Sequence, residues 1–332
     1  MAALGPPPPS VVDAAGRPLR GRYVGPLPPV DLRGCRGRLG WLRHKRWVYV
    51  LLATPERLCA AAIVDLGYAA SAFAFLAAPG QGMLARVSSL GVPGLSRVGD
   101  RAGEGCYARF VGPGLRASLV RPGGASAYRL MVESPALAID AVLDARFAPP
   151  PLSAVADLSP LGGGANATEK RMLLQADGVV RLGRDRLLLD RALGGTDYTQ
   201  GILPRRTAWR WAFLLGRTRQ GAAVGVNLVQ GFNGEAECAV WLEGDLVPVG
   251  EGRIDGDPKR PLLPWRMGSA CGAVALEFQP FALHAEHRNL GVVRSRFLQP
   301  AGSYRGSIRL PGRAPVELDA VLGVAEDQNV LW

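Results

Sequence analysis

Side chains that could bind or transform a ligand concentrate between Asp197 and Trp241, in the segments DYTQGILPRRTAWRWAFLLG and AVGVNLVQGFNGEAECAVWLEG. Indoles line apolar pockets, and carboxylates beside them can orient a ligand or act as general acids and bases. Since a β-strand directs successive side chains to opposite faces, Trp209 and Trp211 are expected on one face and Arg206 on the other. The predicted ligand-binding set is Asp197, Arg206, Trp209, Trp211, Asn227, Glu237, Trp241 and Glu326, and no catalytic residue is assigned.

Each of these residues also has a purely structural interpretation. Two tryptophans on one strand face are more often core than pocket wall, and a buried indole N–H needs an acceptor that a nearby carboxylate can supply. The carboxylates could instead pair with the abundant arginines, Arg205 and Arg206 among them. The sequence leaves these alternatives open.

Other chemistry has weaker support. The nucleophile motif G-x-S-x-G and the phosphate-binding motif G-x-x-x-x-G-K-[ST] do not occur. His284 and His287 could bind a metal with Glu286 on a helix, where residues i and i+3 share a face. The flanking FALHAEHR favours a strand, on which the two imidazoles point to opposite faces as part of a polar or half-buried surface. We therefore expect no metal site and no cofactor. The chain has only three histidines, which argues against a histidine-based catalytic triad.

The net charge of +11 raises the question of a nucleic-acid partner, because basic residues neutralise phosphates. Only three of the 39 basic residues are lysine, which indicates a bias in overall composition rather than a dedicated basic patch. The densest cluster, RGCRGRLGWLRHKR at residues 33–46, could face phosphates or an anionic membrane surface, or form a solvated edge before the first strand. The composition therefore argues against nucleic-acid binding.

Cysteine usage and the N-terminus favour a cytoplasmic protein. The five cysteines are odd in number, scattered and without C-x-x-C spacing, so neither a disulfide framework nor a zinc ribbon is indicated. The opening MAALGPPPPS has neither the charged start nor the apolar core of a signal peptide.

Residues 58–78, LCAAAIVDLGYAASAFAFLAA, approach the length of a membrane-spanning helix and carry one charge, at Asp65. The central Asp-Leu-Gly-Tyr has turn chemistry, and the two flanking halves are short enough to be buried strands. A hairpin is therefore predicted, with a transmembrane helix as the alternative.

The 43 glycines and 27 prolines are spread along the chain and divide it into short runs with β-like alternation. Turn signals recur at the spacing of a β-sandwich or β-barrel, so the fold class is predicted to be all-β. The expected organisation is an extended N-terminal arm (1–32), an N-terminal β-domain (33–150), a linker (151–168) and a C-terminal β-domain (169–332).

Several of these segments together resemble the bacterial domain-of-unknown-function 2804 family over roughly residues 33–332. The segments are KRWVYV, IVDLGYAASAF, DYTQGILPRRTAWRWAF, GVNLVQGFNGEAECAVWLEGDL, PWR at 264–266 and the closing GVAEDQNVLW. That family is similar to the lipocalin-like group that includes carotenoid hydratases and tocopherol cyclases. The resemblance implies two lipocalin-like, barrel-like β-halves and an apolar small-molecule ligand, but it implies no reaction and transfers no catalytic residue.

The sequence thus predicts a cytoplasmic protein that binds an apolar or lipid-like small molecule in a lipocalin-like cavity. The alternative is a cofactor-independent hydratase, cyclase or isomerase that uses a carboxylate such as Asp197 or Glu237 as acid. A third class, an interaction protein that uses its basic N-terminal region, has the least support. No oligomeric state is predicted.

Overall fold

The computed structural model describes residues 4–35, 40–289 and 291–332, and it confirms the all-β prediction. Two curled antiparallel half-barrel sheets hold the strands, and the described helical segments are α1 (Gly40–Arg43) and 3-10 turns at Arg33–Cys35, Ser159–Leu161 and Gly234–Glu237. The first sheet contains β1 (Gly21–Val24), β2 (His44–Ala53), β3 (Leu58–Asp65), β4 (Ala70–Ala78), β5 (Gly82–Gly91), β6 (Ser96–Val98), β7 (Cys106–Gly112), β8 (Leu115–Arg121), β9 (Ala127–Glu133), β10 (Ala138–Asp144), β11 (Leu152–Asp157), β12 (Ala165–Leu182), β13 (Asp185–Leu188) and β14 (Ala192–Ile202). The second sheet contains β15 (Arg206–Arg217), β16 (Ala223–Gln230), β17 (Ala239–Leu242), β18 (Asp245–Pro248), β19 (Gly252–Asp255), β20 (Trp265–Ser269), β21 (Val274–Asn289), β22 (Arg294–Ile308) and β23 (Val316–Leu331).

The chain forms two compact units. Unit 1 comprises the described residues of Met1–Leu52, Cys59–Phe75 and Ala85–Pro204. Unit 2 comprises Ala53–Leu58, Leu76–Leu84 and the described residues of Arg205–Trp332.

Two segments that were expected to be irregular are parts of the first sheet. Leu152–Asp157, within the expected linker, is β11 and pairs with both β1 and β12. The preceding proline run ends at Pro151, so every residue of β11 has an N–H for the ladder. β1 lies within the expected N-terminal arm. Residues 151–168 all belong to unit 1.

The segment with the hydropathy of a membrane span is the predicted hairpin. β3 and β4 are neighbours in the first sheet. At the turn between them, Oδ1 of Asp65 accepts a 2.9 Å hydrogen bond from the N–H of Gly67, whose φ of +79° suits a residue without a Cβ. Among the described residues, no helix is long and apolar enough to cross a membrane.

The middle of the first sheet is buried on both faces. Its main strand order is β5-β4-β3-β2-β14-β12-β10-β9-β8-β7-β6, so β12 and β14 are central neighbours. The outer strand β7 alternates buried and exposed residues, whereas all of β14 is buried. On one face, N-terminal residues bond to these strands: the N–H of Leu27 donates to Glu169 and the amide of Gln200 donates to the carbonyl of Val30. Polar side chains on such doubly buried strands need partners inside the protein.

The second sheet has the order β18-β17-β16-β15-β23-β22-β21-β20-β19. β15 therefore lies between β16 and β23, and the pairing of β15 with β23 brings together residues from the two ends of the segment Arg205–Trp332. Antiparallel neighbours hold directly opposite side chains on the same face of the sheet.

The basic cluster at residues 33–46 is not a solvated edge throughout. His44 and Lys45 are buried, with 4% and 0% of their surface exposed. Arg36 and Arg38 lie outside the described residues.

Candidate functional site

The second sheet carries large aromatic and polar side chains together on one face. Trp211 on β15 is directly opposite Glu326 on β23, and Gln299 on β22 is directly opposite His284 on β21. Trp209, two residues before Trp211, projects to the same side. These five residues are called the aromatic–polar face below.

Glu326 is the centre of this face. Its Oε1 accepts a 2.7 Å hydrogen bond from the indole N–H of Trp209, and its Oε2 accepts a 2.8 Å hydrogen bond from the side-chain amide of Gln299. The carboxylate is buried, with 5% of the residue exposed, and Gln299 is completely buried. The carboxyl group is thus held between an indole and an amide, both of which donate to it.

A second hydrogen-bonded chain fixes Trp211. The indole N–H of Trp211 donates to Oδ1 of Asn227 at 2.7 Å, and Nδ2 of Asn227 donates to the backbone carbonyl of Glu237 at 2.6 Å. Oε1 of Glu237 in turn accepts from the side-chain amide of Asn233. These contacts join β15, β16 and the 3-10 turn Gly234–Glu237, so they hold Trp211 at a fixed position on the face.

Trp241 is completely buried. It pairs with Gly225 on β16 and with Leu246 on β18. It thus lies within the core of unit 2, and its part in ligand binding stays a prediction.

The two histidines of β21 occupy opposite faces, as the strand assignment predicted. His284 belongs to the aromatic–polar face and is 2% exposed, with its Nε2 3.7 Å from Oε1 of Glu286 and its ring edge against Phe297. His287 is exposed and pairs with Arg296. The prediction that both histidines lie on a polar or half-buried surface is therefore wrong for His284. Buried and less buried residues alternate along β21, and His284 is at one of the buried positions. The described residues contain no group of three or more side chains able to hold a metal.

Arg206 lies on the opposite face of β15 from the two tryptophans. It borders an open cleft of about 650 Å³ at the ends of β15, β21, β22 and β23. Within the described chain Arg206 forms no ion pair. Farther along this face, Asp327 accepts from Arg210 at 3.0 Å and from Arg296 at 2.6 Å. The cleft is lined by Arg206, His287, Arg288, Arg294 and Arg296, among others.

Asp197 belongs to unit 1 and is paired with a lysine instead of an arginine. Its Oδ1 lies 2.6 Å from Nζ of Lys170, which is directly opposite on β12, and the two side chains are 8% and 4% exposed. The hydroxyls of Thr168 and Thr199 also reach Oδ1 of Asp197, at 3.4 and 3.3 Å. Of the alternatives that the sequence left open, Asp197 thus forms an ion pair, but its partner is Lys170 and not an arginine, since the register of β12 against β14 places Lys170 opposite it.

Sequence comparison decides the family. The model of the family described as Domain of unknown function (DUF2804) matches residues 7–332. The chain belongs to the DUF2804 family. No curated protein matches it.

Solved structures resemble this DUF2804 protein in fold. CghA, crystallised with Sch210972, has a TM-score of 0.53 at 11% identity, over 98% of this chain and 97% of CghA. A Nitrosomonas europaea protein assigned to AttH has a TM-score of 0.52 at 13% identity, over 86% of this chain and 92% of that one. Kievitone hydratase from Nectria haematococca aligns at 14% identity over 87% of this chain and 88% of its own, with a TM-score of 0.47.

Three residues of the DUF2804 protein that lie near the predicted set were not assigned to it from the sequence. Gln299 and His284 complete the aromatic–polar face, and Lys170 pairs with Asp197. His284 had a usable signal, since it continues the alternation of buried residues along β21. Gln299 lies in a fully buried run, LQPAG, and Lys170 in another, ANATEK, where alternation gives no information.

Proposed function

We propose that this DUF2804 protein binds an apolar or lipid-like small molecule that carries a polar group, on the aromatic–polar face of unit 2. The observation that carries the proposal is the buried carboxylate of Glu326, held between Trp209 and Gln299 on a face that also presents Trp211 and His284. Burying a carboxyl group costs free energy unless hydrogen bonds from the protein or from a ligand satisfy it. Indoles beside a few fixed polar groups provide the apolar surface and the hydrogen-bonding groups that an amphiphilic ligand needs.

The shared fold supports the class of ligand. CghA aligns with nearly the whole chain, and its crystal structure contains the small molecule Sch210972. A fold of this kind can therefore hold a small organic molecule, although a likeness at 11% identity transfers neither the ligand nor its site.

Nile red, a neutral apolar dye, serves as the probe in a direct binding test. The dye is titrated into delipidated protein and then displaced with a total lipid extract. Trp209→Phe removes the indole N–H and Glu326→Gln replaces the carboxyl group with an amide, and each is expected to weaken binding of the polar lipid that displaces the dye about fivefold or more, the effect of one polar contact. Trp265→Phe is the matched control, because Trp265 is a fully buried indole of unit 2 that bonds to the carbonyl of Pro261. If both test variants bind as tightly as this control, the aromatic–polar face is not the binding site.

Catalysis is the second candidate, and one observation favours it. His284 and Glu326 lie on one face, with Gln299 directly opposite His284 and bonded to Glu326. An imidazole and a carboxylate on one face can act as a general acid and base for hydration, cyclisation or isomerisation without a cofactor. At saturating ligand, Glu326→Gln would then bind the lipid component recovered from the extract but leave it chemically unchanged, while the wild type converts it. Unchanged ligand masses and retention times in both proteins would leave binding as the function.

A further inference from the structure

The centre of the first sheet contains a buried strip of polar residues that is separate from the aromatic–polar face. β12 and β14 are antiparallel neighbours, and three successive residue pairs on one face of this ladder are polar or lack a side chain. This polar strip consists of the pairs Asn166 and Gly201, Thr168 and Thr199, and Lys170 and Asp197.

In two of the three pairs, the two side chains bond to each other. The hydroxyl of Thr199 donates to that of Thr168 at 2.9 Å, and Thr168 donates to the backbone carbonyl of Tyr198 at 2.9 Å. Lys170 and Asp197 form the ion pair described above. Buried polar groups that are paired in this way need no ligand to explain them.

Asn166 differs from its neighbours. It is completely buried, and within the described chain neither its Oδ1 nor its Nδ2 has a hydrogen-bond partner. An amide that loses its hydrogen bonds to water on folding and gains none in return is costly, at about 1–3 kcal/mol for each group. A residue that only filled the core at this position would be apolar.

Gly201 sets the position of this amide. It is directly opposite Asn166, and a Cβ at position 201 would clash with Oδ1 of Asn166. The amide of Asn166 therefore lies over the backbone of the neighbouring strand at Gly201. A glycine here keeps both polar atoms of Asn166 at the end of the polar strip.

We propose that the Asn166 end of the polar strip is a binding site for a neutral group that carries a C=O and an N–H side by side, namely a carboxamide, lactam or imide. Nδ2 of Asn166 donates to the carbonyl of the ligand, and Oδ1 accepts from its N–H, so that two parallel hydrogen bonds form. An ester lacks the N–H and satisfies only one of the two atoms. A buried water molecule is the competing occupant, because it too can bond to both atoms.

Nuclear magnetic resonance of the full chain tests this site directly. The side-chain NH₂ signals of Asn166 are identified by their loss in Asn166→Leu. Decanamide and methyl decanoate are then titrated, since they share the same acyl chain and differ in the N–H donor. Decanamide is expected to shift the Asn166 signals and to bind about tenfold more tightly than the ester, the effect of one hydrogen bond. In Asn166→Leu and in Gly201→Ala, which displaces the amide, this preference is expected to disappear.

Thermal unfolding supplies the control. Asn227 is also completely buried, but it accepts from Trp211 and donates to Glu237, so Asn227→Leu is expected to lower Tm clearly. Asn166→Leu is expected to leave Tm unchanged or to raise it, because it removes two unpaired polar groups.

The proposal is overturned if the Asn166 signals do not respond to decanamide, the result expected of a site for water alone. A fall of Tm in Asn166→Leu as large as in Asn227→Leu also overturns it. Neither result bears on Nile red binding at the aromatic–polar face.

Discussion

The indole N–H of Trp209 donates a 2.7 Å hydrogen bond to Oε1 of Glu326, which is 117 residues later in the chain. The pairing of β15 with β23 makes this contact possible. Because Gln299 on β22 donates to the other oxygen, one carboxylate joins three strands of the second sheet. Glu326 therefore contributes to the stability of unit 2 as well as to the proposed ligand site.

Glu326→Ala is expected to lower the free energy of unfolding by about 2–6 kcal/mol, since it leaves the N–H of Trp209 and the amide of Gln299 without this acceptor, at about 1–3 kcal/mol each. Urea denaturation measures the change. Glu317→Ala, on an exposed position of the same strand, is the control and is expected to change stability by less than about 0.5 kcal/mol. Equal stabilities of the two variants would show that the hydrogen bonds of Glu326 contribute nothing to folding.

The Lys170–Asp197 pair allows a comparison between a buried and an exposed ion pair. Asp197→Asn is expected to cost about 3–5 kcal/mol, because it leaves the charge of Lys170 buried without its carboxylate. The double variant Lys170→Met, Asp197→Leu is expected to be more stable than Asp197→Asn, since no charge stays buried.

Arg129 and Asp140 provide the exposed counterpart in unit 1, 3.0 Å apart with 59% and 44% of their side chains exposed. Asp140→Asn is expected to cost less than about 1 kcal/mol. An equally small loss in Asp197→Asn, measured in the same denaturation series, would contradict a buried charge at Lys170.

Lys45 should make stability depend on pH. Burial lowers its pKa from 10.5 to about 7, an effect that the nearby carboxylate of Asp65 partly opposes. Its Nζ donates to the carbonyls of Leu42 and Leu66, and a neutral amine keeps two N–H groups for both bonds. In the unfolded chain this lysine keeps its ordinary pKa, so between about pH 7 and pH 10.5 the unfolded state binds more protons than the folded state.

Stability is therefore expected to rise with pH across this window, by at most about 1.4 kcal/mol per pH unit from this group. Lys45→Met removes the titration while keeping an unbranched side chain. The quantity to measure is the difference in unfolding free energy between wild type and Lys45→Met at pH 7, 8 and 9. A difference that stays constant with pH would mean that Lys45 keeps its ordinary pKa in the folded protein.

Cys271 is expected to react with iodoacetamide at neutral pH before the other four cysteines. All five are thiols and not disulfides, and Cys271 is the exposed one. Partial burial alone would raise its pKa, but hydrogen bonds from the Ser269 hydroxyl and the Gly250 N–H bring the pKa below its ordinary value. Burial raises the pKa of Cys106 and of Cys238 to about 12. Peptide mass spectrometry after brief labelling should find the adduct at Cys271, and earlier labelling of either buried thiol would contradict this order.

The sequence by itself determined the features that depend on residues close together in the chain. The shared face of Trp209 and Trp211 follows from strand alternation, and the hairpin follows from the turn at Asp65 and Gly67. The same local rules indicated that β21 is a strand, which separates His284 from His287. The family was also recognisable, because its combined motifs are contiguous segments of sequence.

Only the tertiary structure decided which distant groups meet. Strand order brings Glu326 to Trp209, and register places Lys170 opposite Asp197. Neither is encoded in a short window, because a shift of one residue in register would move every side chain of a strand to the other face. Strands buried on both faces, such as β12 and β14, add a second reason: they carry no alternation from which the inward face could be read. For this reason the polar strip, including Asn166, emerges only from the folded sheet.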